Sequence, residues 1–218
     1  MILSAVLFDM DGLLTDSEGY GYILLKNGGR QLGFELSDQL LSDMTGLNDT
    51  ECVAILKAYC PGLDGKRLLQ IYHEGMHAAS LRGAVPLKPG VRELLDVLDA
   101  HRVRRAVASS NERFLVESYL RGHGILERFD ALVCGDMIAQ SKPAPDIYLA
   151  AADALGVRPE NCLVLEDSPN GLKSGRAAGM RTCMVPDRIP FTEALKPYVD
   201  DVRDSLHDVI PLIEPWLS

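Results

Sequence analysis

The chain has 218 residues, 47% apolar and 24% charged, which suits a globular protein with one large core and room for a second small domain. Its formal net charge of −9 argues against a nucleic-acid partner, whose phosphates call for Lys and Arg. A small anionic substrate stays open, because a local metal ion and a lysine override a negative global field.

The first predicted element is a strand over Ile2 to Phe8. It lacks a basic leader and runs straight into acids, so it is not read as a signal peptide. No stretch approaches the roughly 20 apolar residues of a membrane helix, and a cytoplasmic protein without membrane contact is expected. The strand ends in Asp9-Met10-Asp11-Gly12. Residues 17–82 then hold no convincing strand. Leu40, Leu41 and Met44 form part of one helical face, Val53, Ile55, Leu56 and Tyr59 supply a second segment, and Leu68, Leu69, Ile71, Tyr72 and Met76 a third. The stretch opens with Gly19, Gly21, Gly28, Gly29 and Gly33, and each glycine inside a helix costs about 1 kcal/mol relative to alanine. Either that first helix is short and broken, or tertiary contacts hold it; a loose helix is expected. Hinges fall near Thr15–Ser17 and Arg82–Lys88, the second punctuated by Pro86 and Pro89.

Beyond the hinge, strands and helices alternate. Val91, Leu94, Leu95 and Leu98 keep helical spacing, and Arg105–Ser109 reads as a strand followed by Ser110 and Asn111. Ala131–Cys134 is the next strand, ending at Gly135. A loop, Gln140-Ser141-Lys142-Pro143-Ala144-Pro145, leads to a helix with Tyr148, Ala151, Ala152 and Leu155 on one face. Strands over Cys162–Leu165 and Arg181–Val185 follow, and Leu212, Ile213 and Trp216 read as packing of a C-terminal helix. Continuous apolar strands suggest burial on both faces. The fold class is therefore α/β, a Rossmann-like parallel sheet with helices on both faces, plus an inserted all-helical cap. Residues 1–16 and 83–218 form the expected core and 17–82 the cap. Cys52, Cys60, Cys134, Cys162 and Cys183 are widely spaced with no CxxC, which points to free thiols rather than zinc or disulfides.

In such sheets ligands sit beyond the carboxyl ends of the strands, so Asp9, Ser109, Gly135 and Glu166 meet at one rim. Asp9 is presented on rigid scaffold as a nucleophile should be. Asp11 is placed to give a proton to a leaving alcohol and later take one from water. Lys142, followed by Pro143 and Pro145 that stiffen its loop, can neutralise Asp9 and a phosphoryl oxygen together. Ser109 offers a hydroxyl, and Ser110 and Asn111 offer backbone donors, to the same anion. Ser168 is a natural helix N-cap with Pro169 behind it, which alone explains Glu166 and Asp167 as acids at a helix start. A magnesium site built from Asp9, a backbone carbonyl and Asp167, with Glu166 close by, explains them as well. Other candidates are weak: His73 and His77 stand four apart without a third ligand, and Lys66 and Arg67 suit a solvated face.

Together these residues resemble the haloacid dehalogenase superfamily, in the branch with a helical cap after the first strand. The resemblance rests on Asp9-Met10-Asp11-Gly12-Leu13-Leu14-Thr15-Asp16-Ser17, on Ser109, on Lys142-Pro143-Ala144-Pro145-Asp146, and on Glu166-Asp167-Ser168-Pro169-Asn170-Gly171. It implies Asp9 as nucleophile, Asp11 as acid and base, phosphate contacts from Ser109 and Lys142, and Mg²⁺ held by Asp9, the Asp11 carbonyl and Asp167. Asp11 speaks against true dehalogenation. Hydrolysis of a small phosphate monoester, a sugar phosphate or similar metabolite, is the favoured activity. A mutase similar to β-phosphoglucomutase is the alternative. Those mutases carry a cap histidine where this chain has Gly21, and an arginine where Gly46-Leu47-Asn48 is followed by Asp49. A non-catalytic phospho-ligand binding protein is the third reading. A small phosphorylated metabolite is the expected partner of a monomeric chain.

Overall fold

The computed structural model describes residues 3–45 and 47–217. Six parallel strands form one sheet: β1 Ala5–Phe8, β2 Arg104–Ser109, β3 Ala131–Cys134, β4 Cys162–Glu166, β5 Arg181–Met184 and β6 Asp201–Val202, in the order β3-β2-β1-β4-β5-β6. The chain starts at the centre, works outward to β3, then returns to the other side of β1. The order therefore reverses between β1 and β4, and the crevice of such a sheet opens at that point.

The central strands are apolar throughout because helices cover both faces. Val6 and Phe8 point to one face with Val107, Leu163 and Leu165, under α5 (Val91–Ala100), α6 (Arg113–Gly122) and α9 (Leu206–Ile213). Ala5 and Leu7 point to the other with Ala106, Ala108 and Val164, under α7 (Asp146–Leu155), whose Tyr148, Ala151, Ala152 and Leu155 are all buried. On α5 the anticipated face, Val91, Leu94, Leu95 and Leu98, is buried in full. All five cysteines are free, and Cys134, Cys162 and Cys183 lie inside strands.

Between β1 and α5 come four helices: α1 (Ser17–Gln31), α2 (Asp38–Met44), α3 (Asp49–Tyr59) and α4 (Gly65–Leu81). They enclose their own apolar cluster of Leu25, Leu40, Leu41, Met44, Leu56, Leu68 and Leu69. The end of α4 differs, since Met76 and Ala79 pack into the large cluster over the sheet. The two linkers run side by side: Asp16 N–H donates to Pro86 O at 2.9 Å and Lys88 N–H to Leu14 O at 3.0 Å. Gly46, one of the residues compared with the mutase cap, lies outside the described residues.

Three expectations differ from what is observed. The first cap helix is neither short nor broken: α1 runs 15 residues. Its glycines are contact points, since a Cβ on Gly28 would stand 2.9 Å from Leu68 Cδ1 and one on Gly29 2.9 Å from Leu36 Cγ. The small residues let α4 and the following loop close in, and that packing offsets their poor helix propensity. The first strand begins at Ala5, with Ser4 N–H bonding to Asn161 O instead, and Ile2 lies outside the described residues. Finally β6 has two residues, one of them acidic, too short for any apolar pattern.

Candidate active site

The site is built from the residues just past the strand ends at the reversal of strand order. Asp9 leaves β1 with its N–H still bonded to Leu165 O at 3.1 Å, so the side chain sits on the sheet itself. Gly12 then takes φ +77°, and a Cβ there would overlap Asp167 Oδ2, so only glycine brings this turn against the end of β4. The turn closes through Gly12 N–H to Thr15 O at 2.9 Å.

Lys142 joins the two central strands. Its Nζ donates to Asp9 Oδ1 at 2.5 Å, Glu166 Oε1 at 2.6 Å and Ala108 O at 3.1 Å, and its side chain is 6% exposed. Glu166 is fully buried and both its oxygens are engaged. Oε1 also accepts from Tyr148 Oη at 3.0 Å; Oε2 accepts from Asp167 N–H at 3.0 Å, Ser168 N–H at 2.9 Å and Ser168 Oγ at 2.9 Å. Ser168 is the N-cap of α8 (Pro169–Ala177), receiving Gly171 N–H. On Asp9, no hydrogen bond from the described residues reaches Oδ2.

Asp11 stands on the same turn, and its Oδ2 accepts from Asn111 Nδ2 at 2.6 Å. Ser109 ends β2 with its hydroxyl buried and accepting Asn111 N–H at 3.2 Å. Ser110 is exposed, its backbone against Gly135. Carboxylate oxygens of Asp9, Glu166 and Asp167 lie within 4.8 Å of one another, a hard-oxygen set of the kind magnesium takes.

Burial pushes Asp9 up to about 7 against the pull of Lys142. It pushes Asp167 up to about 9, with Asp9 and Glu166 adding repulsion, and it raises Asp11 as well. Burial also acts to raise Glu166, but Lys142 and the Ser168 donors outweigh it and hold that group below the usual carboxylate range. Lys142 goes well above its ordinary value, the two carboxylates overcoming its desolvation. Three crowded carboxylates with one lysine leave negative charge that a cation would offset.

The sequence residues Asp9, Lys142, Glu166 and Asp167 thus meet directly, and Asp11, Ser109 and Asn111 form a second linked group beside them. His73 and His77 do not converge: His73 pairs with Asp49 at 3.0 Å and His77 meets the Phe114 ring edge-on. Lys66 and Arg67 are exposed. Sequence reading missed Tyr148, which looks like one more apolar residue of α7. It also missed Asp187, which binds Lys88 at 2.7 Å and whose other oxygen is buried without a hydrogen-bond partner. Asp187 lies in the loop that follows β5, which ends at Met184, at the same rim of the sheet as Asp9, a signal that could have found it.

A family model described as haloacid dehalogenase-like hydrolase matches residues 6–185. Hexitol phosphatase B of Escherichia coli K12 is 35% identical over 84% of this chain and 83% of its own. A crystal structure described as a putative β-phosphoglucomutase from Thermotoga maritima superposes with a TM-score of 0.84 at 26% identity, covering 97% of this chain and 99% of that one. A CbbY mutant from Rhodobacter sphaeroides in complex with xylulose-(1,5)-bisphosphate gives 0.71 at 28% identity, covering 94% and 95%. The chain belongs to the haloacid dehalogenase-like hydrolases.

Proposed function

We propose that this hydrolase is a magnesium-dependent phosphatase that cleaves a small phosphate monoester through a phospho-aspartate on Asp9, with residues 17–82 closing as a cap over a core of 1–16 and 83–218. The observation that carries the reading is the Lys142 ammonium bound to Asp9 Oδ1, which leaves Oδ2 without a hydrogen-bond donor among the described residues. Relatives named as phosphatases of small phosphorylated compounds support the reaction class.

In this reading Asp9 Oδ2 attacks phosphorus and the bond from phosphorus to the leaving oxygen breaks. Asp11, whose carboxyl burial pushes upward and Asn111 steers, gives its proton to that oxygen. A water then attacks the phospho-aspartate, Asp11 takes the water's proton, and the acyl–phosphate bond breaks to return Asp9 and release phosphate. Ser109, the amides of Ser110 and Asn111, and Lys142 receive the phosphoryl oxygens. Asp9 and Asp167, whose carboxylates cluster with that of Glu166, would hold magnesium together with the Asp11 carbonyl that the family resemblance implies, and its charge when bound would stabilise the transferring phosphoryl group. Glu166, engaged by five donor contacts with that from Lys142 among them, serves chiefly to fix Lys142 and the start of α8.

The mutase alternative needs a grip on a second phosphate. Here Tyr72 packs where a side chain at Gly21 would go, and Asp49 is tied to His73. Hydrolysis of a generic aryl phosphate tests the reading. The wild type is expected to turn it over with Mg²⁺ and to stop in EDTA, and Asp9→Asn to lose about a thousandfold or more. Undiminished activity in Asp9→Asn overturns the assignment.

A further inference from the structure

The space facing Asp11 has a chemical character of its own. A cavity of about 300 Å³ lies between Asp11 and Asn111 on the core side and Tyr72 and His73 on α4. A second, of about 230 Å³, continues among the helices α1 to α4 and reaches Asp49. The two share Glu18, Tyr72 and His73 as a common wall.

No lysine or arginine lines either cavity among the described residues. The acids are Asp11, Glu18 and Asp49, and the one basic side chain is His73. Its Nε2 is 3.0 Å from Asp49 Oδ2, so the pair carries no net charge at most, and a negative one when the ring is neutral. Arg188 stands behind the Glu18 wall. It is stacked on Tyr22 at 5.0 Å and stands 4.0 Å from both Glu18 Oε2 and Asp187 Oδ2, with two carboxylates of its own to neutralise. A second phosphate or a carboxylate on the leaving group would meet like charge and no free cationic donor.

Hydroxyl groups would meet the opposite. The Glu18 carboxylate, half-buried in the wall of both cavities, offers acceptor capacity that no protein donor takes up at Oε2. Asp49 and the ring nitrogens of His73, both solvent-exposed on the helical side, add acceptors and a donor, and the Tyr72 ring gives a flat apolar wall for C–H groups. We propose that Glu18, Asp49 and His73 select a neutral, polyhydroxylated leaving group, so that the preferred substrates are polyol or sugar monophosphates and compounds bearing a second anionic group are rejected. The inference rests on the phosphatase reading, and it sets this chain apart from the CbbY protein seen with a bisphosphate.

The test is steady-state kinetics of the full chain with Mg²⁺ on an aryl phosphate, a hexitol monophosphate, phosphoglycolate and a pentulose 1,5-bisphosphate. The expected result is a kcat/KM for the hexitol monophosphate about a hundredfold above phosphoglycolate and the bisphosphate. Asp49→Asn and Glu18→Gln are each expected to lower the hexitol-to-aryl ratio of kcat/KM about tenfold, mostly through KM. Asp49→Lys is expected to raise the bisphosphate-to-hexitol ratio by about tenfold or more. Equal or better turnover of the bisphosphate or phosphoglycolate by the wild type, or unmoved ratios in all three folded variants, overturns the inference while aryl phosphate hydrolysis keeps the phosphatase reading. No hydrolysis of any monoester overturns that reading and the inference with it.

Discussion

Glu166 and Lys142 are buried together, and neither would tolerate being left alone. Lys142→Ala strands a fully buried carboxylate, so a loss of about 3–5 kcal/mol of stability is expected in urea unfolding, along with activity. Lys142→Met combined with Glu166→Gln should recover most of the stability and none of the activity; recovered turnover would show that the ammonium acts only on folding. Asp9 and Asp167 give a pH signature. In the folded, metal-free protein they hold protons up to about 7 and about 9, above the ordinary 3.8. The folded state then binds more protons than the unfolded one, so the contribution of these groups to stability falls as pH rises from about 4 toward 9. A divalent cation needs the ionised groups, so Mg²⁺ should raise the Tm more at about pH 8.5 than at about pH 6. An equal rise at both values would show that these carboxylates do not hold the ion. Sequence reading singled out Asp9, Asp11, Lys142 and Asp167, because acids at the ends of apolar strands and a loop lysine followed by two prolines stood out and together matched a family pattern. It did not separate Glu166 from Asp167 in role, because that depends on which oxygens the Ser168 and Tyr148 donors occupy.

Among the elements, the strands and α5 and α7 were legible because both faces are covered and their apolar residues keep a clear period. The cap was less so. Glycine in α1 argues for disorder when read as propensity and for close packing when read against α4, and only the partner decides. A sharper case is Gly122 at the end of α6, where a Cβ would stand 2.7 Å from Gly83 N and 2.7 Å from Ser80 O. Those are backbone atoms at the join of α4 with the second linker, and they cannot swing aside. Gly122→Ala is therefore expected to cost about 1–3 kcal/mol in urea unfolding, despite alanine's advantage of about 1 kcal/mol in a helix. A variant as stable as the wild type would mean that α4 and α6 are not held this close.

For the whole molecule, the reversal of strand order beside β1 brings Asp9 and Asp167 to one crevice, while the insertion after β1 puts four helices over it. The paired linkers, Leu14–Asp16 against Pro86–Lys88, join the helical layer to the sheet, and Lys88 binds Asp187 at the rim. Among the described residues no helix is long and apolar enough to cross a membrane. The central claim is that phosphorus passes through Asp9. It is tested most directly by acid-quenching the enzyme during Mg²⁺-dependent turnover of an aryl phosphate, reducing with borohydride and mapping the peptides by mass spectrometry. The account expects an acyl phosphate reduced to homoserine at position 9, absent without substrate. Turnover with Asp9 unmodified and the label on another residue, or on none, would contradict it.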